Sequence, residues 1–256
     1  MAGHSKWANI KHQKARADAK KGKTFTQLSR AIINAARNGS PDPEANFQLR
    51  SAINKAKAAG LPNDNIERAL AKGAGTLGSD AEQLESLRYE GYGPGGIALL
   101  IEALTDNRNR TAADLRTCFS KYGGNLGETG CVSWMFRQKG VVRLEGELSE
   151  EALLEASVEG DAETFEWNGE GEEPGAEVYT EASQLESLNQ TLQAQGLPVK
   201  EAELRWIPDT YVAVSDPDQA RSLLKLLEAI EELDDVQNVT ANLTIANELV
   251  AASVAS

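Results

Sequence analysis

Apolar residues between positions 25 and 70 recur at helical spacing, with a breaking residue after each run. The first run ends at Gly39, and the second, which Pro43 opens, ends at Gly60. A Pro-Asn-Asp-Asn segment then starts a third, shorter run that ends near Gly73. A spacing of three to four residues gives each helix one apolar face, and a glycine at the end is a typical stop signal. The pattern therefore predicts a small domain of three helices with short connections.

Beyond residue 79, the pattern changes to an alternation of strand and helix signals. Strands are predicted at residues 97–104, 131–136, 210–214 and 236–245, with a helix after the first strand and another after the third. The segment in between repeats the order βαββαβ. We therefore expect an α+β multidomain protein, with an N-terminal three-helix domain and two ferredoxin-like βαββαβ domains, one inserted in the other. The predicted domains are residues 1–78, residues 79–139 with 208–248, and the inserted residues 140–207.

Basic and acidic residues are unevenly distributed along this chain of 256 residues. Residues 1–75 hold 14 basic and 5 acidic side chains, whereas residues 146–256 hold 4 basic and 25 acidic ones, although the net charge is only −13. A basic module joined to an acidic body indicates a polyanionic partner for the basic part. The sequence shows no apolar run of membrane-spanning length and no signal-peptide core, so we expect a cytoplasmic protein without membrane contact. We also expect a monomer.

The basic arm, residues 1–24, is the main candidate for binding nucleic acid. Its cations neutralise phosphates, and Trp7 is suited either to stacking on an unpaired base or to ordinary packing. The competing interpretation is a solvated arm without a partner. Two arginines seven residues apart on the first helix extend the basic stripe. The candidate contacts are Lys6, Trp7, Lys11, His12, Lys14, Arg16, Lys20, Lys21, Lys23, Arg30 and Arg37.

A second candidate site is the turn at residues 106–111, which joins a predicted strand to a predicted helix. Two arginines and two amides beside a helix N-terminus suit a phosphate, and a simple capping turn with surface arginines is an equal alternative. Its candidate contacts are Asn107, Arg108, Asn109 and Arg110.

Catalysis, metal and cofactor find no support in the sequence. The two histidines and two cysteines show no metal-ligand spacing, and the sequence holds no hydrolase or metalloprotease motif. We therefore expect a protein that is not an enzyme, with no metal site and no cofactor.

Five sequence segments resemble the YebC/PmpR family over essentially the whole chain. The segments are residues 1–12 (MAGHSKWANIKH), 63–69 (NDNIERA), 89–96 (YEGYGPGG), 105–111 (TDNRNRT) and 123–127 (GGNLG). The resemblance implies three domains and a non-enzymatic role in regulating gene expression. The tail at residues 247–256 extends beyond the family's usual end.

The resemblance leaves two targets open. Bacterial members of the family are called probable transcriptional regulators, which implies DNA binding through the basic N-terminal domain. A mitochondrial relative acts as a translational activator and bacterial relatives are linked to ribosome function, which implies a ribosome-associated factor that binds RNA.

Overall fold

The N-terminal part of the chain forms three helices, as predicted. The structure, a computed structural model, describes residues 4–6, 21–76, 84–168 and 174–246. Helices α1 (Lys21–Asn38), α2 (Phe47–Ala58) and α3 (Asn63–Gly73) surround a shared apolar core. This core continues onto Leu84 and Leu104 of the α/β part, so the helical bundle is packed against it. The core side chains within the helices are Ile32, Ile33, Ala35, Ala36, Leu49, Ile53, Ala56, Ile66 and Ala69.

Helix α2 begins later than the sequence pattern indicates. Asn46 is its N-cap, and the Asn46 side chain accepts a hydrogen bond from the backbone N–H of Leu49 at 3.0 Å. The same amide donates to the carbonyls of Ala35 (2.9 Å) and Ser40 (2.7 Å). One buried side chain therefore caps α2 and also fixes the end of α1 against it, which leaves Pro43 in the preceding turn.

A four-stranded sheet follows, with two helices packed on it. Its strands are β2 (Glu85–Gly93), β3 (Ile97–Thr105), β4 (Asn125–Leu126) and β10 (Val236–Ala241), in the order β10-β3-β2-β4. Helices α4 (Arg108–Lys121) and α7 (Pro217–Glu231) bury Leu115, Phe119, Leu223 and Leu227 in the same core as the β3 residues Ile97, Leu99 and Ile101. The order matches a ferredoxin-like sheet, except that β2, which precedes the first helix, occupies the third strand position.

Three details of this part differ from the expectation. Residues 131–135 form turns, including the short 3₁₀ turn Ser133–Met135, and not a strand. Strand β9 (Val212–Val214) pairs with β11 (Leu243–Ala246), which also pairs with β1 (His4–Lys6) in a separate three-stranded sheet. The predicted strand at 236–245 is broken at Asn242, whose side chain accepts a hydrogen bond from the Ala98 N–H at 2.8 Å.

The acidic unit, residues 137–207, is a second compact unit of the chain. Its elements are β5 (Phe136–Glu145), α5 (Glu150–Glu159), β6 (Thr164–Asn168), β7 (Gly175–Glu181), α6 (Leu185–Ala194) and β8 (Val199–Pro208). The sheet order β6-β7-β5-β8 is that of a ferredoxin-like βαββαβ domain.

The fold class is thus confirmed: an N-terminal helical region is followed by α/β domains with antiparallel sheets. The other compact unit comprises the described residues up to Phe136 and from Pro208 to Ala246. The predicted border at residue 78 lies outside the described residues, so the three-domain division stays a prediction.

Gly73 allows α3 to approach α1 closely. A Cβ atom there would lie 2.6 Å from the Ala36 Cβ and 2.8 Å from the Ile33 carbonyl oxygen. Because one of these atoms belongs to the backbone, Gly73→Ala must push the two helices apart. The strain, about 1–3 kcal/mol, exceeds the helix propensity that alanine adds, up to about 1 kcal/mol.

We expect Gly73→Ala to lower the free energy of unfolding of the unit that contains the helices, measured by chemical denaturation. The control, Ala58→Ser, adds one atom at an exposed position of α2 and should leave stability within about 0.5 kcal/mol of the wild type. A Gly73→Ala midpoint at or above that of the wild type would contradict the tight contact.

Candidate nucleic-acid interface

The structure describes only part of the predicted basic arm. Lys6 lies in β1, with its Nζ 4.8 Å from the centroid of the Tyr211 ring, a cation–π contact. Lys21 and Lys23 lie in the first turn of α1, which contains no acidic residue. The remaining predicted contacts of the arm lie outside the described residues: Trp7, Lys11, His12, Lys14, Arg16 and Lys20.

Arg30 and Arg37 of α1 make hydrogen bonds within the protein. The guanidinium of Arg30 donates to Asp235 Oδ1 at 2.9 Å and to the backbone carbonyls of Leu104 and Asp234. Arg37 donates to the backbone carbonyl of Leu84. Both arginines therefore attach α1 to the α/β part of the same unit. Their predicted contact with nucleic acid stays a prediction, and it competes with these bonds.

Asp235 is the centre of the densest polar cluster near the second candidate site. Only 5% of its surface is exposed. Its carboxylate accepts hydrogen bonds from Arg30 (2.9 Å), Arg110 (2.9 Å), Thr111 (2.7 Å) and Thr105 (3.1 Å). We call these five residues the Asp235 cluster. It joins the helical bundle, the end of β3, the start of α4 and the loop before β10.

The Asp235 cluster stabilises the ionised carboxylate. Burial alone would raise the pKa of Asp235, but the bonds from Arg110, Thr111, Arg30 and Thr105 outweigh it and hold the pKa below its ordinary value. The carboxylate is therefore charged at neutral pH. Its interaction with two guanidinium groups contributes to the stability of the native state.

The four predicted contacts in the turn at residues 106–111 fall into two pairs: two residues bind within the protein, and two are exposed to solvent. Asn107 caps α4 by accepting from the Arg110 N–H at 3.1 Å, and the Arg110 guanidinium binds Asp106 at 2.7 Å as well as Asp235. The capping interpretation therefore accounts for Asn107 and Arg110. In contrast, the Arg108 side chain is 70% exposed, with the Glu85 carboxylate 3.9 Å away, and Asn109 is exposed beside it.

A cleft of about 560 Å³ lies over the Asp235 cluster. Carboxylates outnumber cations in its walls, which disfavours a phosphate at this position. The charged residues that line it are Arg30, Asp106, Arg110, Asp114, Glu232, Asp234 and Asp235.

The role of Asp235 was not predicted, because this residue lies 125 residues from Arg110 in the sequence. The only signal in the sequence was the acidic run at residues 231–235 before a predicted strand.

Within the described ranges, no group of three or more His, Cys, Asp or Glu side chains is arranged to hold a metal ion. Both Cys118 and Cys131 are free thiols. In the same part of the chain, no helix is both long enough and apolar enough to cross a membrane.

Comparison with known proteins finds matches along nearly the whole chain. The family model for the "TACO1/YebC protein N-terminal domain" matches residues 5–76, and the model for the "TACO1/YebC second and third domain" matches residues 84–243. A protein of Gloeothece citriformis named "Probable transcriptional regulatory protein" is 75% identical over 255 residues, which cover 100% of both chains. A protein of the same name from Rippkaea orientalis is 71% identical over 255 residues, again with 100% of both chains covered.

A solved structure also matches. The crystal structure of a conserved hypothetical protein from Aquifex aeolicus has a TM-score of 0.82 and 48% sequence identity. The match covers 93% of this chain and 96% of the other. The second family model ends at residue 243, before the C-terminal tail, whereas the Gloeothece and Rippkaea relatives match the chain over its full length.

We expect Asp235→Asn to destabilise the protein at neutral pH, because it leaves two guanidinium groups facing a neutral amide. Loss of one partner of a buried ion pair costs about 3–5 kcal/mol, and we expect about 2–4 kcal/mol here since Arg110 is half exposed. Asp235 has a lowered pKa, so its contribution is present above about pH 4 and is lost as pH falls through the native pKa.

The difference in unfolding free energy between Asp235→Asn and the wild type should therefore shrink below about pH 4. Denaturation at pH 7 and at a series of lower pH values measures it. Asp234→Asn is the matched control, because that neighbouring side chain is exposed. A difference that is constant with pH would contradict the role given to the ionised carboxylate.

Proposed function

Because the chain belongs to the TACO1/YebC family, we propose that it regulates gene expression by binding nucleic acid through its basic N-terminal region. The relatives named as transcriptional regulatory proteins support transcription as the level of control. The role is one of binding and not of catalysis.

The separation of charge along the chain is the observation that carries this proposal. Residues 1–75 have an excess of nine positive charges, in a protein whose net charge is −13. Lysine and arginine side chains that neutralise phosphates release the counterions condensed on nucleic acid. A cluster of positive charge attracts a polyanion and speeds its association.

The described part of the helical bundle supports the same partner. Lys21 and Lys23 stand at the N-terminus of α1, where the helix dipole adds positive charge and no first-turn carboxylate compensates it. Lys57 of α2 and Arg68 of α3 are exposed. Phosphate groups supply the negative charge that such a surface attracts.

The charge of the acidic unit supports a different role for it from that of the basic region. Residues 137–207 contain 17 acidic and 5 basic side chains. Its helix α5 alone carries four exposed glutamates, Glu150, Glu151, Glu155 and Glu159. Such a surface repels phosphates, so nucleic acid docks in one orientation, on the basic region.

The second candidate function is action on ribosomal RNA during translation. The observation that favours it is the exposed indole ring of Trp134. Unpaired bases stack on aromatic rings, and folded RNA offers such bases in its loops. Retention of promoter duplexes at 150 mM salt, compared with co-sedimentation with ribosomes, separates the two targets. Specific retention of duplexes without ribosome association favours transcription, and the reverse result favours translation.

We expect reversal of Lys11, Lys14 and Lys20 to glutamate to weaken binding about 10- to 100-fold for all sequences alike. The slope of log affinity against log salt should fall by about 2–3, since each lost phosphate contact removes about 0.9. Fluorescence-anisotropy titration at several salt concentrations measures both quantities.

The matched control for that variant reverses Arg116, Lys121 and Lys225, three exposed cations outside the N-terminal region. It changes the net charge by the same amount and should retain the wild-type slope. If both triple variants lose affinity equally, net charge alone governs binding and the basic arm has no special role.

A further inference from the structure

The loop between β4 and β5 is held in place by one buried carboxylate. Glu90 of β2 is only 3% exposed. It accepts hydrogen bonds from the backbone N–H groups of Gly130 (2.8 Å), Val132 (2.7 Å) and Ser133 (2.8 Å). The Glu90 carbonyl accepts another from the N–H of Gly127 at 2.8 Å. Four bonds to one residue therefore fix the backbone of this loop.

These bonds keep Glu90 ionised despite its burial. Burial alone would raise the pKa of Glu90, but the backbone donors of Gly130, Val132 and Ser133 outweigh it and hold the pKa below its ordinary value. Charged hydrogen bonds of this kind are stronger than neutral ones. The ionised carboxylate thus holds the loop through three backbone hydrogen bonds at neutral pH.

The same loop presents an exposed indole. The Trp134 residue is 70% exposed. Its Nε1–H donates to the Cys131 carbonyl at 3.2 Å, and the Tyr92 hydroxyl donates to the same carbonyl at 3.0 Å. The polar edge of the indole is thus used inside the loop, while its flat apolar surface is left to solvent.

The surroundings of Trp134 favour a flat ligand. In the described part of its unit, the only other large apolar residue that is exposed is Val212, at 39%. Protein-binding hot spots lie within a packed patch that excludes water around them. A single indole without such a patch offers instead a π-face, which a nucleobase of any sequence can cover.

We propose that Trp134 is a stacking site for an unpaired nucleobase. This inference rests on the proposed function, because the N-terminal cations supply the phosphate contacts that the loop lacks. Stacking on Trp134 would distinguish unpaired bases from paired ones, and phosphate contacts alone cannot make that distinction. Because the loop is already fixed, little conformational entropy is lost when a base stacks on the ring.

The test compares two single-stranded DNA oligonucleotides of equal length, one of mixed sequence and one with abasic sites at every position. Trp134→Ala should bind the base-carrying strand about 5- to 150-fold more weakly than the wild type, the range for one base–aromatic stack. Its affinity for the abasic strand and its salt slope should not change, because the phosphate contacts are intact.

Two further variants make the test specific. Trp134→Phe keeps an aromatic face and should recover affinity to within about threefold of the wild type. Trp167→Ala removes the other large exposed indole of the described chain, from strand β6 of the acidic unit, and should bind like the wild type. Circular dichroism checks that each variant is folded.

The outcomes separate the two proposals. Wild-type binding to none of single-stranded DNA, single-stranded RNA and duplex DNA overturns the proposed function and the stacking site together. Wild-type binding that Trp134→Ala does not alter, or that it weakens equally for the abasic strand, overturns the stacking site alone. Wild-type binding confined to duplexes also overturns the stacking site and leaves the proposed function in place.

Discussion

The buried carboxylate of Asp235 connects four elements that are far apart in the sequence. Arg30 reaches it from the helical bundle, Thr105 from the end of β3, and Arg110 and Thr111 from the start of α4. Each of these donors has a charged acceptor that is itself buried, and hydrogen bonds to a charged group are stronger than neutral ones. This charge therefore adds a polar contact to the apolar core that joins the helical bundle to the neighbouring sheet.

Two buried carboxylates in this unit thus have the same structural role: each fixes a nearby turn or loop through hydrogen bonds. Asp235 fixes the turn at the start of α4, and Glu90 fixes the loop that carries Trp134. In both cases, hydrogen bonds lower the pKa that burial alone would raise. Arg30 and Arg110 both bind Asp235, whereas the Arg108 side chain is 70% exposed.

The sequence pattern was sufficient to predict those elements whose apolar residues recur at regular spacing. Helices α1 and α3 and the βαββαβ order of the acidic unit were predicted, because each buries one periodic apolar face. Strand β2 was missed because its first half carries Glu85, Ser86 and Arg88 in place of alternating apolar residues. The Asp235 cluster was missed for a different reason: its donors lie 124 to 205 residues away in the sequence, and local patterns carry no information about such contacts.

The charge asymmetry is a property of the sequence alone, and its meaning depends on where nucleic acid touches the protein. Ultraviolet crosslinking in cells, followed by mass spectrometry of the nucleotide-bearing peptides, locates that contact directly. The account predicts adducts on peptides from residues 1–75 and none on peptides from residues 137–207. Adducts concentrated on the acidic unit would contradict it.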